Sequence, residues 1–300
     1  MMDASTSRRC IAALALGLIS AALAGRADAE TAPGEPAATY REYMTAAERG
    51  DSEAQTRLAW LYFHGQGTPQ NYGQALKWFR RAAINEYAPA QDNVGMMYYN
   101  GLGVPRDFVV ALRWYKRAAA NGDAVAQNNL GWMYEHSEGV PKPELHAAAH
   151  WYRRAAEQGH ADAANNLGRL CYGGLGLARN HQEAVHWFRR AAEHGHLGAA
   201  NNLGVMFARG LGVTRDTEVA ITWFLRAAEG GLTDAQFNLA MAYADRREPD
   251  RKATLMWLMI AAEHGSSTAR AALARGLGQL PADEVKEAER MARAWVAARP

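Results

Sequence analysis

Apolar positions along this chain return in threes and fours rather than in twos, the pattern of helices that each bury one face. They also return on a longer beat. Tryptophan sets it at Trp78, Trp114, Trp151, Trp187, Trp223 and Trp257, with intervals of 36, 37, 36, 36 and 34 residues. Four residues on, alanine pairs keep the same time, from Ala82-Ala83, Ala118-Ala119 and Ala155-Ala156 to Ala191-Ala192, Ala227-Ala228 and Ala261-Ala262. Small residues form a third ladder at Ala59, Gly95, Gly131, Gly168, Gly204 and Ala240. Three ladders in one frame predict a repeat array. Each repeat buries its apolar face on its neighbours, and no single large core is needed.

Each period predicts two helices. In a first helix such as Ala126 to Tyr134, Leu130 and Tyr134 fall on one face, and the glycine beside the leucine lets a neighbouring helix come close. Three residues beyond the small residue an aromatic fills the adjoining groove, at Tyr62, Tyr98, Tyr134, Phe207 and Tyr243. Cys171 stands there in the fourth repeat and reads as a small buried substitute rather than a reactive thiol. The first helix ends in a glycine turn, as in Asn100-Gly-Leu-Gly-Val-Pro105 and Arg209-Gly-Leu-Gly-Val-Thr214. Such a Gly-x-Gly can be mistaken for a phosphate loop, but here it follows a helix and not a strand.

Seven residues before each tryptophan stands Asn71, Asp107, Glu144, Asn180, Asp216 or Asp250. Recurrent acids suggest catalysis, yet five of these six residues are good N-caps, and capping explains them better. The second helix is expected to bury its tryptophan and alanine pair, and to close at Gly50, Gly122, Gly159, Gly195, Gly230 or Gly265.

The ends differ from the middle. Arg8 and Arg9 precede fifteen residues without a charge, Cys10 to Ala24, and Ala27-Asp28-Ala29 follows as a cleavage pattern. A spanning helix needs about 20 apolar residues. Residues 1–29 therefore read as a signal peptide cut after Ala29, with export to the periplasm, or secretion as the alternative, and no stable membrane span. Residues 30–36 read as a linker and 37–50 as an N-terminal capping helix with Tyr40, Tyr43, Met44 and Ala47 inward. Residues 51–266 are six repeats, and 267–300 are C-terminal capping helices, the last of them amphipathic with Val285, Ala288, Met291 and Trp295 inward.

Composition adds exclusions. With 49% hydrophobic and 21% charged residues, the chain is globular rather than disordered. Cleavage removes Arg8, Arg9, Arg26, Asp3 and Asp28, leaving 30 basic and 29 acidic residues and a net charge of +1. That balance does not point to nucleic acid. It also leaves Cys171 alone, so no internal disulfide forms. The sequence has no His-Glu-x-x-His, Gly-x-Ser-x-Gly, phosphate loop or Ser-x-x-Lys. His181, His186, His194 and His196 lie close together, with His160 equivalent to His196. No carboxylate or thiol ladder completes a metal site, and they read as solvated turn residues. No cofactor, metal or enzymatic activity is expected.

The pattern Leu-Gly-x-x-Tyr, then Gly-x-Gly-Val, then an acid or amide, then Ala-x-x-Trp-Tyr/Phe-x-x-Ala-Ala-Glu-x-Gly resembles the Sel-1-like repeat, a relative of the tetratricopeptide repeats. The resemblance covers roughly Ala37 to Ser266, and the sixth repeat departs from it, with Arg246-Arg247-Glu248-Pro249 replacing the glycine turn. It implies an all-α fold, a right-handed superhelical solenoid of antiparallel helix pairs whose concave face holds other proteins. Bacterial members include periplasmic adaptors, regulators of signalling or polysaccharide secretion, and host-binding virulence proteins. A cysteine-rich secreted branch has been linked to penicillin binding and β-lactamase activity, but this chain lacks that branch's paired cysteines.

If first helices line the concave side, as the resemblance implies, the positions exposed there are Trp60, Phe63 and His64, then Asp92, Met96, Tyr99 and Asn100, then Asn128, Trp132, Glu135 and His136. Asn165, Arg169 and Tyr172 follow, then Asn201, Val205 and Arg209. These aromatics either anchor an extended or helical partner segment between Trp60 and Trp132 or only pack between repeats. A further ladder, Asn93, Asn129, Asn166, Asn202 and Asn238, either ties neighbouring repeats together or grips a ligand backbone. The expectation is a monomeric, non-enzymatic envelope adaptor with a protein partner. The alternatives are a β-lactamase-like hydrolase and a polysaccharide-secretion scaffold.

Overall fold

The computed structural model describes residues 37–276 and 281–298; the expected signal peptide and linker lie outside them. Among the described residues there are fifteen helices and no strand. The chain divides into two compact units, Met1–Gly122 and Asp123–Pro300.

The first unit holds α1 (Ala37–Glu48), α2 (Ser52–His64), α3 (Tyr72–Ile84), α4 (Ala88–Asn100) and α5 (Phe108–Ala120), each packed on the next. The second holds α6 (Ala124–His136), α7 (Leu145–Glu157), α8 (Ala161–Gly173), α9 (His181–Glu193), α10 (Leu197–Arg209), α11 (Thr217–Glu229), α12 (Thr233–Ala244) and α13 (Arg251–Glu263), packed in the same sequential way. Two more helices, α14 (Ser267–Gly276) and α15 (Ala282–Ala297), both pack on α13, where Trp295 meets Trp257 edge-on at 5.1 Å. At the other end α1 lies on α2, with Ala47 fully buried and the Tyr40 and Tyr62 hydroxyls 2.6 Å apart.

Capping starts the helices where the spacing placed it. The side chains of Asn71, Asp107, Asn180, Asp216 and Asp250 each accept an N–H of the following first turn, at 2.9 to 3.1 Å. Glu144, the one weak capper of the six, makes no such bond. First-helix starts use other residues. Asp51 and Asp123 cap α2 and α6, while His160 and His196 cap α8 and α10 through Nδ1, which accepts from Ala163 N–H at 3.3 Å and Ala199 N–H at 2.9 Å. The reading of these two histidines as solvated turn residues is therefore corrected: each ring closes a helix end.

The small-residue ladder admits a ring. A Cβ placed on Gly131 would lie 2.7 Å from the Tyr152 ring, on Gly168 2.7 Å from Phe188, and on Gly204 2.6 Å from Phe224; Gly95 stands in the same relation to Tyr115 at 2.8 Å. The ring so received belongs to the residue after each repeat tryptophan, and Phe79, Tyr115, Tyr152, Phe188 and Phe224 are all essentially fully buried. This corrects the expected core. Trp78, Trp187 and Trp257 are buried, but Trp114, Trp151 and Trp223 are only half-buried. In five repeats the tryptophan is instead covered by the arginine three residues on. Arg81, Arg117, Arg154, Arg190 and Arg226 lie 5.1 to 5.9 Å from the ring centres, a cation–π contact on the i, i+3 face.

Two further devices join elements. Buried glutamines four residues before the small residue reach back to the preceding helix: Gln55, Gln91 and Gln236 donate to the carbonyls of Ala47, Ala83 and Ala228 at 2.9, 3.1 and 3.3 Å. The residue ending the second helix completes the amide in turn, as where Asn121 donates to Gln91 and Gln158 to Gln127. The Gly-x-Gly turns do more than turn. A Cβ on Gly176 would lie 2.4 Å from the Leu145 carbonyl carbon, and on Gly212 2.4 Å from that of His181, so the second glycine presses on the start of the previous repeat's second helix. One helix end is corrected: Gly231, at φ 85°, carries the left-handed turn after α11, while Gly230 stays at −76°.

Candidate functional site

The expected binding residues divide by unit. In the first, Trp60, Phe63, Asp92 and Met96 are buried, with 5, 7, 3 and 8% of their surface exposed, so the expected exposure is corrected. Packing explains it for the aromatic pair. The Trp60 ring meets Phe63 and Phe79 edge-on at 5.0 and 5.4 Å and stacks with His64 at 5.1 Å and 11°, while Phe63 also meets Tyr72. Among the three of this face that remain accessible or partly so, His64 is exposed. Tyr99 is half-buried against Phe108 at 5.2 Å, and Asn100 donates back to Met96 O at 3.0 Å.

The second unit keeps a more open face. Trp132 is half-buried, with the exposed His136 ring stacked on it at 3.7 Å and 19°. One turn away, Glu135 accepts from the Tyr152 hydroxyl at 2.8 Å and from Arg169 at 2.6 Å. Burial first, and then the Glu135 carboxylate, push the Tyr152 hydroxyl well above its ordinary pKa, so it stays a donor. Arg169 remains 43% exposed, and Tyr172 is exposed beside His181. Arg209 is exposed and Val205 half-buried.

Across this face runs the amide ladder. Asn166 donates to Asn128 at 3.4 Å, Asn202 to Asn165 at 3.1 Å and Asn238 to Asn201 at 2.9 Å. The tie between repeats is thus real, and it includes Asn128, Asn165 and Asn201, which the sequence placed on the binding face. An amide that gives one bond to its neighbour keeps further donor and acceptor capacity for a bound chain.

Cys171 is fully buried, and burial first, then the nearby Glu183 carboxylate, push its thiol up to about 11. Where the other repeats have an aromatic, this one has a polar cluster. Arg153 crosses from α7 to Glu183 at 2.7 Å, and Glu183 also accepts from Trp187 Nε1 at 3.4 Å. Burial opposes ionisation of Glu183, but these two donors hold its carboxyl below the usual range. His196 Nε2 lies 3.5 Å from Asp162, and no cluster of three or more metal-ligating side chains occurs among the described residues. Among the same residues, no helix is long and apolar enough to cross a membrane.

The family model of the Sel1 repeat matches residues 52–87, 88–123, 124–160, 161–196, 198–232 and 233–266. This chain belongs to the Sel1 repeat family. Among solved structures, a Sel1 repeat protein from Oxalobacter formigenes is 31% identical, with a TM-score of 0.64 over 72% of this chain and 89% of that one. A protective antigen of uropathogenic Escherichia coli with the same fold is 29% identical over 87% of this chain and 72% of that one, at a TM-score of 0.38. A Sel1 repeat protein from Klebsiella pneumoniae is 19% identical over 68% of this chain and 98% of that one, at 0.44. A comparison with curated proteins found no match. Sel1 repeats build scaffolds that commonly serve protein–protein interaction, and the helix-pair solenoid of this chain is of that kind. Several features went unread in the sequence: the tryptophan–arginine pairs, the glutamine latches and the histidine caps. The first two have a spacing that could have found them, arginine three residues after tryptophan and glutamine four before the small residue.

Proposed function

We propose that this Sel1 repeat protein is a non-enzymatic adaptor of the cell envelope that holds a segment of a partner protein on the first-helix face of its second unit. The observation that carries this reading is the open row on α6 and α8. There the half-buried Trp132, the exposed Tyr172 and the accessible edge of Arg169 stand beside the asparagine ladder. Half-exposed aromatics and arginine supply the apolar anchors and planar hydrogen-bonding edges that dominate protein interfaces. Amides repeated at each helix pair offer main-chain partners to an extended segment. The positively charged start, apolar stretch and Ala-x-Ala of residues 1–29 support the envelope address.

The test is crosslinking in the exporting cell with the native chain and with Trp132→Ala/Tyr172→Ala, followed by identification of captured proteins. Truncating a central anchor costs about 2 kcal/mol or more, about thirtyfold in affinity, so the captured partner should largely disappear. A folded double variant that captures the same partner undiminished refutes this site.

A further inference from the structure

The second helices of the first unit carry a surface unlike that of the other second helices described. On α3, Lys77, Arg80, Arg81 and Ile84 fall at i, i+3, i+4 and i+7, one stripe, and all four are exposed. On α5 the equivalent cations are Arg113, Lys116 and Arg117, and Val109 stands one turn before Arg113 on the same face; all four are exposed. Neither helix contains an acidic residue. An exposed aliphatic side chain flanks each set of cations, Ile84 at the C-terminal end of α3 at 75% and Val109 at the N-terminal end of α5 at 49%.

The cations are held in place. The exposed Arg81 and Arg117 lie over Trp78 and Trp114, 5.2 and 5.1 Å from the ring centres, a cation–π contact that restrains each guanidinium on the stripe. Arg80 sits over the Tyr98 ring at 5.4 Å and bonds its hydroxyl. In the second unit the matching stripes on α7, α9 and α11 end in Glu157, Glu193 and Glu229 where α3 has Ile84. The acid-free character therefore belongs to the first unit alone.

We propose that this face docks on an anionic phospholipid bilayer. Six cations in two parallel stripes match a surface of lipid phosphates, and each is worth about fivefold in partitioning close to such a surface. The aliphatic ends decide between a bilayer and a soluble polyanion. Ile84 and Val109 gain by entering the headgroup region, whereas a nucleic acid or an acidic polymer gives them no apolar partner. This face is formed by other helices than the protein-binding row on α6 and α8, so variants of the one leave the residues of the other unchanged.

The experiment is sedimentation of the full chain with vesicles of phosphatidylcholine alone and of phosphatidylcholine with phosphatidylglycerol. The apolar stretch of residues 10–24 contributes alike to every variant, so the differences between variants isolate the face. Wild type should prefer the anionic vesicles, less so as salt rises. Lys77→Gln/Arg113→Gln should lose about twentyfold of that binding at unchanged thermal stability. Ile84→Ser should lose several-fold. Arg189→Gln/Arg251→Gln removes the same net charge from exposed sites of the second unit and should stay within about twofold of wild type. Equal binding to both vesicle types, or equal loss in both double variants, overturns the proposal. So does an unchanged Ile84→Ser, or binding to heparin without binding to vesicles.

Discussion

Replacing Gly204 with alanine sets two well-measured effects against each other. In a helix interior, alanine is better than glycine by about 1 kcal/mol, because glycine leaves more backbone freedom to lose on folding. Against that gain stands the Phe224 ring, 2% exposed, whose edge carbons would lie 2.6 Å from the new methyl. The neighbour is a whole ring in a packed core and not the end of a flexible chain, so the ring and helix must both move. Overpacking of this kind costs about 1–3 kcal/mol. The clash should offset the helix gain and exceed it, giving a net loss of up to about 2 kcal/mol in denaturant unfolding read by tryptophan fluorescence. The sixth repeat supplies the rescue, since it pairs Ala240 with Leu258 at the same places. Gly204→Ala/Phe224→Leu should therefore lose less than the two single changes added, by about 1 kcal/mol or more. If Gly204→Ala is instead more stable than wild type by the full helix gain, the ring does not fill the glycine notch and the account of the core is wrong.

Two further outcomes follow from the caps. His196 accepts the Ala199 N–H through Nδ1, and burial, only partly opposed by Asp162, lowers its pKa from the usual 6.5. A histidine with a depressed folded pKa is stabilising while neutral, so that contribution is complete above pH 6.5 and is lost as pH falls through the folded value. His196→Asn keeps a capping side chain without a titration, and thermal melts at neutral and mildly acidic pH should show a smaller acid loss than wild type; an identical loss refutes the role. Asp216→Ala should cost about 1 kcal/mol, because its Oδ1 holds Val219 N–H at 3.0 Å, whereas Glu144→Ala removes no cap bond and should stay within about 0.5 kcal/mol of wild type in the same unfolding assay.

The repeat frame, the helix pairs and five of the six caps were legible because each recurs at a fixed spacing, and recurrence separates a structural residue from an accident. What recurrence cannot say is which of two adjacent repeating residues points inward. Trp187 and Phe188 keep the same beat, and only the packing shows that Phe188 enters the Gly168 notch while Trp187 lies under Arg190. The binding face suffered from the same blindness. Trp60 and Trp132 occupy one register position, yet Trp60 is buried under Phe63, His64 and Phe79 while Trp132 is half-buried, with His136 stacked on it. Histidine caps escaped notice because histidine is a poor predictor of a helix start, although its Nδ1 can do an aspartate's work.

The notch at the small residue has a consequence for how such an array can change over time. Across six repeats that position is only ever glycine or alanine, while the residue after it is Trp60, Met96, Trp132, Arg169, Val205 and Met241. One site is fixed by a ring on its inner side, whereas its immediate neighbour, buried at Trp60 and Met96, stays at least partly accessible at Trp132, Arg169, Val205 and Met241. Mutations can therefore rewrite what the array touches, one helix pair at a time, without re-folding it. Duplication of a helix pair would copy the notch faithfully and leave its neighbour open to drift toward a new partner.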